Sequence, residues 1–164
     1  MCGQITKRLK AVRKAKSLLL YEVADCLGID WKLYKQYETG RFSLPADLLY
    51  QLCLYYKLSA DYLLGLPKGI PFPNHEDIGV WKETEDRRWK QIACNLKKVR
   101  TSKGLTQSQV AEYLGIHRSF YIEYEMGSSK LPVNLLYQLC LYYDISADYL
   151  LGLPKGMLYP DEQE

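Results

Sequence analysis

Residues 4–69 recur at 91–156, an offset of 87 without a gap, with about 39 of the 66 positions identical. A chain that spells one small unit twice is expected to fold as two like domains, because each copy has the same core to bury. The longest shared run, LLYQLCLYY at 48–56 and 135–143, is followed by SADYLLGLPKG at 59–69 and 146–156. With 164 residues in all, little is left over for anything else.

The division reads as a first domain at 1–69, a linker at 70–90, a second domain at 91–156 and an acidic tail at 157–164. The linker has Pro71, Pro73 and an acidic cluster, which do not suit a helix. Trp81 and Trp89 within it suggest partial docking onto a domain. In copy two the helix signals fall in order. Ile92, Leu96 and Val99 are spaced for a helix over 91–103 that stops at Gly104. Thr106 and Gln109 form a capping-box pattern that opens a second helix, over 107–114, stopped by Gly115. A third helix is expected over 118–126, a fourth after Pro132 and a fifth capped by Ser146, giving an all-α chain of two five-helix domains joined by a linker.

Composition narrows the function classes. Apolar residues are 48% and charged residues 25%, the balance of a folded chain, which excludes disordered and collagen-like proteins. Tyrosine is in excess, 15 against three each of Phe and Trp, so many aromatic rings carry a hydroxyl that needs a partner. The net charge of +3 names no polyanionic partner, but its distribution is uneven, +5 over 1–69, −1 over 70–95, +2 over 96–156 and −3 in the tail. Cys2, Cys26, Cys53, Cys94 and Cys140 include no Cys-x-x-Cys pair, so buried or inert thiols are expected, with no disulfide framework. His75 and His117 have no ligand spacing around them, and no metal or cofactor is expected. There is no Gly-rich phosphate loop and no nucleophile frame, so an enzyme is not expected. No apolar run approaches the ~18 to 20 residues of a membrane span, and the basic N-terminus lacks a secretory pattern, so a cytoplasmic protein is expected.

The run LTQSQVAEYLGIHRSFYIEYEMG at 105–127, with LKKVRTSKG before it and DISADYLLG after it, resembles the phage-repressor-like, Cro/Xre-type helix-turn-helix family, the lambda-repressor-like fold. The resemblance implies that Arg100 and Glu125 form a largely buried ion pair between helix one and the end of helix three, with Arg13 and Glu38 as its counterpart in copy one. It implies double-stranded DNA as the partner, with the third helix in the major groove. Base readout then falls to His117, Arg118, Ser119, Ile122 and Glu123. Arg118 suits guanine O6 and N7, Glu123 a cytosine amino group and Ile122 a thymine methyl. Thr106, Gln107, Ser128 and Lys130 are placed for phosphate contacts, which position without specifying.

Copy one keeps the scaffold and changes the surface. Over 44–69 about 22 of 26 positions match copy two, whereas over 30–43 only Tyr34, Tyr37, Glu38 and Gly40 match. Trp31, Lys32, Lys35 and Gln36 stand where bases would be read, and Arg41 where a phosphate would lie. If both copies bind DNA, their half-sites differ and the target is a composite or imperfect repeat. Ser17, Leu19 and Leu20 replace Gly104, Thr106 and Gln107, so copy one loses the helix-stop glycine, the N-cap and the phosphate glutamine. Leu19, Leu20 and Tyr21 make an apolar patch there, a candidate protein interface.

The fourth helix is apolar on more than one core-facing stripe, so part of it is expected at an interface, either between the two copies as an intramolecular pseudo-dimer or between chains as a homodimer. Sequence-specific DNA binding and transcriptional regulation, most simply repression in a bacterium or mobile element, is the reading the resemblance implies. Its rival is a phage or mobile-element protein that binds and inhibits a host protein, in the manner of an anti-CRISPR inhibitor, with DNA binding secondary.

Overall fold

The computed structural model describes residues 2–73 and 85–160. Among them are ten helices and no strand, five helices in each repeat in the same order. The first domain has α1 Cys2–Ala15, α2 Leu20–Cys26, α3 Trp31–Glu38, α4 Ala46–Tyr56 and α5 Ala60–Leu64. The second has α6 Glu85–Ser102, α7 Gln107–Leu114, α8 Arg118–Met126, α9 Val133–Tyr143 and α10 Ala147–Leu151.

The helix ends are set by local chemistry. At α7 the Thr106 hydroxyl accepts the Gln109 N–H at 3.2 Å while Gln109 Oε1 accepts the Thr106 N–H at 2.8 Å. Gly115 then takes a left-handed φ of 66°, and the Ile116 N–H returns to the Ala111 carbonyl at 3.0 Å, closing α7 and turning the chain into α8. In the first domain Ser17 adopts φ 55° where the second has Gly104. Leu19 offers no side-chain acceptor, yet Glu22 still accepts the Leu19 N–H at 2.7 Å, so half of the capping box survives the loss of the hydroxyl.

α6 starts at Glu85, so the last residues of the expected linker are helical. The physical reason is Trp89, which is buried on the same face as Ile92, Leu96 and Val99 and extends their helical period backwards. Trp81, the other residue expected to dock, lies outside the described residues.

The tyrosine excess is partly explained inside the cores. Tyr121 and Tyr143 are buried with their hydroxyls 3.1 Å apart, and Tyr34 and Tyr56 pair at 3.4 Å, so each polar tip finds a partner without reaching water. Burial, the largest cause, pushes the phenols of Tyr56 and Tyr143 up to about 12. Cys53 and Cys140 are buried, Cys26 and Cys94 are exposed, and all four are free thiols.

The two domains pack on each other about a pseudo-two-fold axis. At its centre the Ala46 N–H donates to the Leu131 carbonyl at 2.8 Å and the Val133 N–H to the Leu44 carbonyl at 2.9 Å, so Pro45 and Pro132 face each other in a single antiparallel bridge. Beside it each domain starts the other's fifth helix. Asp148 accepts the Ala60 N–H and the Ser59 hydroxyl, both at 2.6 Å, and Asp61 accepts the Ala147 N–H and the Ser146 hydroxyl, both at 2.6 Å.

Two short arms complete the exchange. Pro71 accepts the Ser146 N–H at 2.9 Å and Phe72 lies edge-on to Tyr149, while Leu158 accepts the Ser59 N–H at 2.8 Å and Tyr159 lies edge-on to Tyr62. Residues 70–73 and 157–160 stand at the same offset of 87 as the repeat, so the structural symmetry runs past the identical stretch. Much of the surplus apolar face of α4 and α9 is covered in this seam, where α4 meets α9 and α5 meets α10. No described helix is long and apolar enough to cross a membrane.

Candidate nucleic-acid interface

α7 packs across α8, and α2 across α3. Ala111 is buried at the crossing, where a larger side chain would force the helices apart. The outer face of α8 is held in place from behind by an ionic cluster. Arg100 Nε lies 2.5 Å from Glu125 Oε1 and Nη2 lies 3.1 Å from Oε2, a two-pronged pair, while Nη1 donates to the Leu105 carbonyl at 2.7 Å. One guanidinium thereby joins α6, the loop before α7 and the end of α8. Burial pushes the Glu125 carboxyl up, but hydrogen bonds from Arg100, Gln107 and Tyr121 outweigh it and leave the group below its usual range.

The first domain repeats the arrangement. Arg13 binds Glu38 at 2.6 and 3.0 Å and the Leu18 carbonyl at 2.9 Å.

On the outer face of α8, His117, Arg118 and Ser119 are exposed, and Ile122 and Glu123 are half-buried. Their engagements differ. His117 is the N-cap of α8: its Nδ1 accepts the Ser119 N–H at 3.4 Å and lies 2.7 Å from the Ser119 hydroxyl, so it shapes the helix start. Glu123 receives the Ser129 hydroxyl at 2.6 Å, and the Ser128 hydroxyl donates to the Glu123 carbonyl at 3.2 Å. Arg118 is the most available donor on this face; its Nη2 reaches Gln107 Oε1 only at the long distance of 3.5 Å.

The expected phosphate contacts divide in the same way. Gln107 sits in the first turn of α7, where free N–H groups and the helix dipole favour an anion, but its amide donates to Glu125 Oε2 at 3.0 Å. Gln107 thus couples the start of α7 to the Arg100 and Glu125 pair. The Thr106 hydroxyl is occupied by the capping box. Lys130, expected on phosphate, is exposed, and its Nζ meets Asp47 Oδ2 at 2.7 Å across the domain seam. Phe120, which the sequence does not single out, is exposed beside Arg118. Its signal is its mismatch, since its neighbour Tyr121 takes the core position.

In the first domain Trp31, Lys32, Lys35 and Arg41 are exposed, Lys32 Nζ lying 5.9 Å from the Trp31 ring centre, and Gln36 is half-buried. Asp30 caps α3 by accepting the Lys32 N–H at 2.7 Å, the counterpart of His117. Of the six basic residues on α1 and directly after it, Lys7, Arg8, Lys10, Arg13, Lys14 and Lys16, two are engaged within the domain, Arg8 donating to the Tyr62 carbonyl and Arg13 held by Glu38. Leu19 and Tyr21 are exposed, 53% and 59%, and Leu20 is half-buried, so part of the apolar patch faces outward.

A family model described as "Helix-turn-helix" matches residues 96–150, and one described as "Helix-turn-helix domain" matches residues 6–68. Three relatives from Bacillus subtilis (strain 168) are similar to parts of the chain. The uncharacterized HTH-type transcriptional regulator YobD is 45% identical over 58 residues, 35% of this chain and 52% of that protein. The uncharacterized HTH-type transcriptional regulator YqaE is 42% identical over 69 residues, 42% of this chain and 60% of that protein. The SPbeta prophage-derived uncharacterized HTH-type transcriptional regulator YonR is 43% identical over 56 residues, 34% of this chain and 52% of that protein. The chain thus spans between half and three-fifths of the curated relatives it matches. No solved structure matches it.

Proposed function

Both halves of this chain are Cro/Xre-type helix-turn-helix domains, and from that premise we propose that it binds double-stranded DNA with sequence preference and regulates transcription. The observation that carries the reading is the outer face of α8. Arg118 and Ser119 stand together, exposed, at the start of a helix locked against its own domain by Arg100 and Glu125. A rigid helix with a guanidinium at its N-terminal end suits the major groove, where Arg reads guanine through two acceptors. Helix-turn-helix matches over both halves and three relatives named as transcriptional regulators support the same reading. The rival, inhibition of a host protein, has the exposed Leu19 and Tyr21 on its side and is not favoured.

On this reading the side chains of the two outer faces take roles. Arg118, Ser119, Ile122 and Glu123 read bases in the second domain, and Trp31, Lys32 and Lys35 meet DNA in the first. Gln107 lies where it meets a phosphate if it exchanges its bond to Glu125 for one. The test is selection of bound sequences from a random duplex library by the intact chain at about 150 mM salt. An enriched motif is expected. Recovery of unselected sequence, with binding that vanishes as salt rises, defeats specific recognition.

A further inference from the structure

The domain seam carries an asymmetry that the repeat conceals. Position 43 of the first domain corresponds to 130 of the second, and 47 to 134, so the axis creates the same contact twice. One copy of that contact is Ser43 with Asn134, joined at 2.8 Å, and the other is Lys130 with Asp47, joined at 2.7 Å. Two first domains paired in this way would set Ser43 against Asp47 twice, and two second domains would set Lys130 against Asn134 twice. Only unlike domains place Lys opposite Asp. The capping carboxylates Asp61 and Asp148 are alike in both halves and select nothing, whereas the 43, 47, 130 and 134 positions make a charge pair that only unlike domains can form.

The seam also fixes where the outer helices lie. A small cavity at the boundary is lined by Tyr37 and Gly40 at the end of α3, by Phe42 and by Val133 of the other domain. The chain leaves α3 and α8 and within seven residues reaches Pro45 and Pro132, which are bridged to each other. Both helices therefore run into one axis at their C-terminal ends. Their outer faces are unlike, with Trp31, Lys32 and Lys35 on one and Arg118, Ser119 and Ile122 on the other.

We infer that a single chain is a complete reader of a two-part DNA site. Its two unlike recognition helices, set at one spacing by the seam between the domains, bind two unlike half-sites in one order on one duplex, without a second copy of the chain. This rests on the DNA-binding reading above. In a helix-turn-helix dimer the half-sites lie about one helical turn apart, roughly 10 base pairs, and a two-fold pair of identical helices demands a palindrome. Here the two-fold is retained in the backbone and broken in the side chains, so the site keeps the spacing and loses the palindrome.

The test uses the intact chain and the duplex enriched from the random library. Sedimentation is expected to give one chain per duplex. Affinity is then compared for duplexes with about 5 or about 10 base pairs inserted between the two half-sites, a half and a whole turn. Both insertions are expected to weaken binding at least tenfold, the first by moving one half-site to the opposite face and the second by exceeding the fixed spacing. Domains joined only by a flexible tether would tolerate the whole-turn insertion, and that result overturns the inference. So does a palindromic motif occupied by two chains, or a motif of one half-site only, although either leaves DNA recognition standing. Absence of any motif overturns the DNA-binding reading itself. As a second arm, Asp47→Lys sets two lysines face to face and is expected to lower affinity for the two-part duplex several-fold, with Lys130→Asp in the same chain restoring it. Failure of the paired exchange to restore it removes the seam from the argument.

Discussion

Asp148 of the second domain accepts the backbone N–H of Ala60 in the first at 2.6 Å, so a carboxylate from one repeat begins a helix in the other. Asp61 returns the contact to Ala147 at the same distance. Both carboxyls are buried, and burial raises both: Asp148 is pushed up to about 6 against the opposing hydrogen bond from Ser59, with the Asp61 charge adding to the rise, and Asp61 is raised against the bonds from Ser146 and Ala147.

This gives a pH dependence with a definite sign. A carboxyl whose folded value lies above its unfolded value of 3.8 contributes stability that is fully present below about pH 4 and is lost as pH rises through about 6. Thermal unfolding by calorimetry is expected to show the chain losing stability between about pH 4 and 6, by an amount on the order of 3 kcal/mol at most from Asp148. Asp148→Asn is expected to flatten the profile. A wild-type profile that rises over that interval refutes the assignment.

Breaking the ionic cluster behind α8 is costly. Glu125→Ala strands a largely buried guanidinium and is expected to destabilise the chain by about 3–5 kcal/mol in urea unfolding followed by circular dichroism. Replacing both partners, Arg100→Met with Glu125→Leu, is expected to recover most of that loss, because no charge is then left buried without its partner. A double variant as unstable as the single one counts against this account.

The first domain is improvable where it departs from the second. Ser17→Gly relieves a left-handed residue that has a Cβ, and is expected to gain about 1 kcal/mol. Leu19→Thr supplies the missing acceptor at the start of α2 and is expected to gain about 0.5–2 kcal/mol. Together they are expected to raise the melting temperature by several degrees. No rise in either variant means that the loop before α2 is not strained.

Specificity and affinity are expected to separate by residue. Arg118→Ala is expected to relax preference at one base pair by about 1–3 kcal/mol, while Lys32→Ala weakens binding to all sequences and lowers the salt slope by about one. Binding isotherms on the enriched duplex and its single-base variants, over a range of salt, measure both. An Arg118→Ala chain with unchanged preference removes the base-reading role.

The fold is legible in the sequence where its signals are local. Gly104, Gly115 and Gly127 stop helices because the chain there needs a positive φ, and Thr106 with Gln109 opens α7 through bonds spanning three residues. The start of α6 is less legible, because Trp89 sits among charges that look like linker until its burial is known. The surplus apolar face of the fourth helix announces an interface, but the pairs that make the seam are illegible for a different reason. Lys130 and Asp47 are 83 residues apart, and neither has a local pattern that announces a partner. The arms at 70–73 and 157–160 share an offset but only Pro73 and Pro160 in identity, and four residues with prolines have no period to read. The family pattern sets His117 toward a base, but the position before a helix asks for an acceptor before it asks for anything else.

In an association of two identical subunits every substitution is made twice, once on each side of the axis, so neither half can change its outer surface without its twin doing the same. The bridge at Pro45 and Pro132 joins two halves that are encoded separately. A change at Arg118 leaves Trp31 as it was, and a change at Lys130 leaves Ser43 as it was. The molecule therefore keeps the architecture of a symmetric pair while each side explores substitutions independently. The ten differing positions between 30–43 and 117–130, set against the near-identity of 44–69 with 131–156, are the mark of that freedom in one chain.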